Sequence, residues 1–198
     1  MILQIEPTKI YTSVEYLTLE LESEVRHEYI NGAIIPMTGG TPNHNDIAGN
    51  LYVLLKSALR QKNYRVFYVD QRLWIPSVNR YTYPDVMVVS KPIEFQSGRT
   101  DTLINFCLIA EVLSPSTQAY DRGDKFTAYR TMPTFTEYLL IDQHQIQVEH
   151  RVRTAENQWL ISEYNSPQMT LKLDSIGIEI PIADLYADID LDQGNLTL

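Results

Sequence analysis

Two acids stand where a carboxylate is expensive to keep. Asp85 follows Pro84 and opens the apolar run Val86-Met87-Val88-Val89, and Glu111 sits between Ala110 and Val112 in a stretch with no other charge. A charge carried into an apolar strand is unfavourable unless it is paired, hydrogen-bonded or bound to a cation. Either acid alone is explained by hydrogen bonds from neighbouring backbone or arginines. The pair is more informative. Two carboxylates delivered to one end of adjacent strands repel each other unless a hard cation lies between them. Magnesium suits such a pair, with manganese as the alternative ion, because it takes oxygen ligands and keeps waters that can be activated as nucleophiles.

Other residue types could assist. Lys125 lies on a helical segment, with Tyr129 four residues later on the same face, placed either to orient the lysine or to pack. His44 and Asp46 stand at the start of a helix after a glycine-containing loop; Asp46 reads as its cap, and His44 either contacts a phosphate or bonds the loop. Gly39-Gly40 matches no phosphate-cradling motif of defined spacing. Ser114 and Ser116 lack the neighbours of a nucleophile elbow and read as turn or cap residues. The single cysteine, Cys107, reads as a small buried thiol; it excludes an intramolecular disulfide or a cysteine cage for zinc, and it suits a reducing compartment.

Longer strings carry a resemblance. Tyr83-Pro84-Asp85-Val86-Met87-Val88-Val89, then Glu111-Val112-Leu113-Ser114-Pro115-Ser116-Thr117, Asp121 through Lys125 and Tyr129, and Glu137-Tyr138-Leu139-Leu140-Ile141-Asp142 resemble the Uma-two-type putative restriction endonuclease family of the PD-(D/E)XK nuclease superfamily. Glu28-Tyr29-Ile30-Asn31-Gly32 and His44 match it as well, so the likeness runs from about Thr12 to Leu185. It implies a restriction-endonuclease-like fold and a Mg²⁺-dependent DNA endonuclease that acts as a homodimer and needs no organic cofactor. It assigns the metal to Asp85, Glu111 and Glu28; read without it, Glu28 is an exposed hairpin acid beside Arg26. One departure stands out: Leu113 occupies the place of the superfamily's lysine, two positions after the glutamate. The resemblance moves that role to Lys125, reaching in from the following helix to orient or deprotonate the attacking water.

The elements that must position these residues follow from local signals. Thr12 with Glu15 forms a capping box that opens a helix to about Leu21. Asn31-Gly32 between two apolar-rich runs predicts a tight hairpin. Ile47, Leu51, Leu54, Leu55, Ala58 and Leu59 recur at helical spacing, predicting a helix from about Asn45 to Lys62. Strands are expected at Val66–Val69, Leu73–Ile75, Asp85–Val89, Cys107–Leu113 and Glu137–Ile141, with a helix from roughly Gln118 to Arg130 making a parallel crossover. Ile146–Val152, Gln158–Tyr164 and Thr170–Leu173 read as an antiparallel ribbon, and Ile182–Tyr186 as a short closing helix. The fold class is α/β (α+β), with a mixed central sheet flanked by helices in one domain over residues 1–198.

Composition sets the outer bounds. With 44% hydrophobic and 21% charged residues over 198 positions, the chain is that of a globular protein. No basic region leads an apolar stretch over Met1–Glu6 and no run is long enough to span a bilayer, so a cytoplasmic protein without membrane contact is expected. The net charge of −9 opposes broad, tight binding to nucleic acid. Acid gathers in Glu15–Glu28 and Asp174–Asp192, however, and Lys56, Arg60, Lys62, Arg65, Arg72 and Arg80 make the middle basic. A non-catalytic nucleic-acid or protein-interaction module on the same scaffold is therefore the alternative, as is a hydrolase of a small phosphoester. The position of Lys125 relative to Glu111 discriminates the catalytic reading from the non-catalytic module. Sequence choice is expected from the loops Ser77–Tyr83 and Ser90–Leu103.

Overall fold

A computed structural model describes residues 9–191; the stretch Met1–Glu6 and the last acid of the C-terminal run, Asp192, lie outside them. Helix α1 (Ser13–Glu22) is capped in both directions, the Thr12 hydroxyl accepting from the Glu15 N–H and the Glu15 carboxylate accepting from the Thr12 N–H. Its Tyr16 packs against Tyr29 and Tyr81, with ring centroids 5.2 Å away in each case. Strands β1 (His27–Ile30) and β2 (Ala33–Pro36) form the expected hairpin, and both turn residues take positive φ, 45° at Asn31 and 103° at Gly32.

Helix α2 (Pro42–Ala58) starts three residues before the expected Asn45, and Thr41 rather than Asp46 caps it. Pro42 is the reason: its missing N–H and fixed φ suit the first helical position, and the Thr41 hydroxyl then accepts from the His44 N–H. His44 thereby falls in the first turn.

The central sheet takes β3 (Tyr64–Tyr68); β4 (Arg72–Ile75) and β5 (Arg80–Thr82) pair with each other instead, β5 also with β1 of the hairpin and β4 with the short β7 (Thr102–Leu103) that comes after β6 (Val86–Ser90). Strand β8 (Phe106–Leu113) runs antiparallel to β6 and parallel to β9 (Glu137–Asp142), and the helix over residues 118–129 connects β8 to β9. Beyond β9 come β10 (Val148–Ala155) and β11 (Gln158–Tyr164), giving six strands in the order β11-β10-β9-β8-β6-β3. The sheet is mixed, as expected, but a second sheet of five strands in the order β2-β1-β5-β4-β7 stands beside it. The C-terminal antiparallel ribbon is present in two parts. Its first pair extends the central sheet, while β12 (Thr170–Leu173) pairs with an unforeseen β13 (Ile178–Pro181) before the closing helix Ile182–Leu185.

Alternation along the central strands divides the core. Val86, Val88, Leu108, Ala110, Val112, Leu139 and Ile141 pack toward α2, and Met87, Val89, Ile109, Tyr138 and Leu140 pack toward the 118–129 helix. Glu111 therefore belongs to the face that the 118–129 helix covers. Among the described residues no helix is long and apolar enough to cross a membrane.

Candidate active site

The pairing of Val86 with Ala110 in antiparallel β6 and β8 sets Asp85 opposite Glu111 at the strand ends. Hydrogen bonds tie the two strand ends together: the Val112 N–H donates to Asp85 Oδ2 at 2.8 Å, and the Asp85 N–H to Glu111 Oε2 at 3.4 Å. Glu111 Oε1 accepts from the Tyr129 hydroxyl at 2.8 Å. Tyr129 thus orients the glutamate, while its ring packs among Phe106, Phe135 and Tyr138.

Lys125 is buried in the same cleft. Its Nζ lies 3.2 Å from Glu111 Oε1, 3.1 Å from Asp121 Oδ1 and 3.5 Å from Glu28 Oε1. The Asp121–Lys125 stretch is wound as a π-helical turn inside the 118–129 helix, a local widening that recurs at functional sites. The position two residues after Glu111 shares its face, and there Leu113 is buried in the apolar core. The ammonium enters from the covering helix instead.

Glu28 is buried, not an exposed hairpin acid. It bonds the Thr82 hydroxyl, accepts from the Tyr120 hydroxyl at 2.7 Å and faces Lys125. His44 Nε2 approaches Asp85 Oδ2 at 3.2 Å, while its Nδ1 is buried with no hydrogen-bond partner. Burial pulls the imidazole pKa down, but the Asp85 carboxylate outweighs it and the net shift is upward. Gly40 permits this approach, since a Cβ there would stand 2.7 Å from His44 Nδ1. Gly40→Ala is expected to displace the imidazole from Asp85 and lower its pKa; a histidine titration by NMR checks this.

Electrostatically the cleft is overloaded with negative charge. Glu111, Glu28 and Asp121 surround one ammonium, and Asp85 stands beside Glu111 in the same cleft. Burial pushes the Glu111 pKa up to about 8; Lys125 and the Tyr129 hydroxyl oppose that rise, and Asp85 and Asp121 reinforce it. Lys125 is held well above its ordinary range, because the carboxylates outweigh the cost of burying it.

This donor set fits a hard divalent cation. Among the described residues no hydrogen bond reaches Asp85 Oδ1, and Glu111 Oε2 accepts only the long bond from the Asp85 N–H. Among the described residues no three His, Cys, Asp or Glu side chains converge to cage an ion. Two carboxylates supplemented by water and substrate oxygens are nonetheless the usual magnesium arrangement. Glu28, expected as a third ligand, has its oxygens taken by Thr82, Tyr120 and Lys125.

A cleft of about 350 Å³ exposes these groups, walled by Pro36–Gly40 on one side and Ser114, Ser116 and Thr117 on the other. Of the two loops expected to govern sequence choice, Ser77–Tyr83 contributes Tyr83 to its lining and Ser90–Leu103 contributes none of its residues. Ser77–Tyr83 contains buried β5, and within Ser90–Leu103 the Asp101 carboxylate pairs with Arg72 and Arg99. Three contributors were not foreseen. Asp121 could have been found from its spacing of four residues to Lys125; Thr82 and Tyr120 carry no local signal, because their contacts join distant segments.

The chain matches the family model Uma2, "Putative restriction endonuclease", over residues 13–183. Two proteins of Synechocystis sp. (strain ATCC 27184 / PCC 6803 / Kazusa) are similar. "Uncharacterized protein sll1609" is 43% identical over 156 residues, spanning 79% of this chain and 88% of the relative. "Uncharacterized protein slr1290" is 35% identical over 172 residues, spanning 87% and 89%. The crystal structure of a putative nuclease belonging to DUF820 from Anabaena variabilis ATCC 29413 superposes with a TM-score of 0.73 at 21% identity, covering 91% of this chain and 98% of that one. That likeness establishes a shared fold.

Proposed function

This chain belongs to the Uma2 family of putative restriction endonucleases, and from that premise we propose that it is a magnesium-dependent endonuclease hydrolysing phosphodiester bonds in DNA. The observation that carries the reading is the Lys125 ammonium 3.2 Å from Glu111 in the cleft that also holds Asp85. The non-catalytic alternative drew on the acidic balance and on Leu113; a buried lysine beside the glutamate answers the second point.

When bound at Asp85 and Glu111, the ion supplies Lewis acidity toward a phosphoryl oxygen and lowers the pKa of the attacking water. The chain's own residues do the rest. Lys125 donates to the water and to the developing negative charge on the phosphate. Glu28 and Asp121 hold the ammonium, Tyr129 holds the Glu111 carboxylate, and His44 offers a donor beside Asp85. Cutting both strands of a duplex needs two such clefts, so a symmetric homodimer is the working assembly of this proposal.

The test is incubation of supercoiled plasmid and linear duplex with the parent protein in Mg²⁺, in Mn²⁺ and in excess chelator. Ion-dependent nicking or linearisation supports the reading. DNA left intact under every ion condition would remove it.

A further inference from the structure

From Ile47 through Val69 the sequence contains no acid and four cations, Lys56, Arg60, Lys62 and Arg65, in a chain whose net charge is −9. The fold gathers these with Lys91, which follows β6. Lys56, Arg60, Arg65 and Lys91 line a groove of about 440 Å³ together with Tyr64, and Lys62 lies in the turn between, its Nζ bonded to the Gly177 carbonyl. Among the described residues none of the five has a carboxylate within ion-pair distance, whereas Arg26, Arg72, Arg99, Arg122 and Arg151 each have one. The negative end of α2 accounts for Lys56 and Arg60; it does not account for Arg65 on β3 or for Lys91.

Helix α2 runs from the catalytic cleft at His44 toward the groove at Lys56 and Arg60. Asn45, Gly49, Tyr52, Lys56 and Arg60 follow one another at helical spacing, and Tyr52, Tyr68 and Lys56 leave side chains at the surface. The Tyr68 hydroxyl bonds the Asn45 carbonyl beside His44, the Tyr68 and Tyr52 rings lie 5.5 Å apart, and Lys56 Nζ sits 5.6 Å over Tyr52. Asp46, at the cleft end, is the one acid of α2. At about 1.5 Å per helical residue, the path from His44 to Arg60 is on the order of 24 Å. That matches roughly seven phosphates of one strand.

We propose that this surface is a nucleic-acid track, on which the phosphodiester backbone leaving the cleft along α2 is gripped by Lys56, Arg60, Arg65 and Lys91 and flanked by the Tyr52 and Tyr68 rings. The proposal rests on the nuclease reading for the direction of the strand; binding itself can be tested apart from cleavage.

The experiment is fluorescence anisotropy of a labelled 30-base-pair duplex and a labelled 30-nucleotide single strand, titrated at several salt concentrations. The parent is compared with Lys56→Glu/Arg60→Glu/Lys91→Glu and with a control, Arg130→Glu, an exposed cation on the helix at the other face of the sheet. Circular dichroism verifies folding of each variant. The triple variant should lose about tenfold or more in affinity at low salt, with a salt slope shallower by roughly 2–3, while the control matches the parent. Equal affinity and slope in parent and triple variant, or no binding by the parent, would overturn the proposal. Parental oligomers that the triple variant dissolves, with DNA binding unchanged, would also overturn it and make the surface a self-interface. Binding with the expected pattern but no cleavage would leave the track standing and remove the nuclease reading.

Discussion

Glu111→Gln is expected to abolish cleavage and, in the same protein, to raise the melting temperature of the metal-free form. The first effect comes from losing a ligand and the group that Lys125 faces, and should cost roughly 10³-fold or more in turnover. The second comes from linkage. Burial and the neighbouring carboxylates lift the Glu111 pKa to about 8 from an ordinary value near 4.5. The folded state therefore holds this proton more tightly than the unfolded chain does. The protonated carboxyl's contribution to stability is full below about 4.5 and is lost as pH rises toward 8. Glutamine removes that loss. Its advantage over the parent should vanish in acid and reach on the order of 2–3 kcal/mol near neutral pH, several degrees in melting temperature. Melting curves of parent and variant from pH 4.5 to 8.5 in chelator measure it. A variant less stable than the parent at pH 8 would contradict the electrostatic account.

Lys125→Met should behave in the opposite way. Removing the ammonium leaves Glu111, Asp121 and Glu28 buried around no cation, a type of change that destabilises by about 3–5 kcal/mol. Turnover should fall by roughly 10²–10⁴-fold, the usual range for a positioned acid–base group. Divalent ions should bind this variant at least as tightly as the parent, because a competing cation has gone, and should recover part of its lost stability. Tight ion binding without turnover separates a lysine that acts on water and phosphate from one that merely holds the fold. Weakened ion binding would instead make Lys125 part of the metal site's architecture.

Much of this arrangement was legible in the chain because local chemistry encodes it. Thr12 with Glu15 and Asn31 with Gly32 specify a cap and a turn from neighbouring atoms alone. Asp85 and Glu111 stood out because charge in an apolar strand needs a reason. What was not legible depends on pairing between distant segments. Strand β5 is three residues long, and two of them, Arg80 and Thr82, are polar, so neither alternation nor apolar content marks it within the expected loop Ser77–Tyr83. Its polar residues serve the site instead, Thr82 bonding Glu28 and Arg80 donating to the Asp124 carbonyl. The split into two sheets follows from β5 and β1 pairing, which no single segment announces. Asp46 reads as a cap only if the helix begins at Asn45; Pro42, suited to the first helical position, carries the better information.

The central claim is a divalent-ion site on Asp85 and Glu111, and calorimetric titration of Mn²⁺ into the chelator-stripped protein tests it most directly. Parent, Asp85→Asn and Glu111→Gln are compared, each with and without a non-cleavable DNA duplex. The account predicts saturable binding by the parent, tighter at pH 8.5 than at pH 6.5 as Glu111 loses its proton, and loss of that binding in both variants. No binding by the parent under any of these conditions, or undiminished binding by both variants, would contradict it.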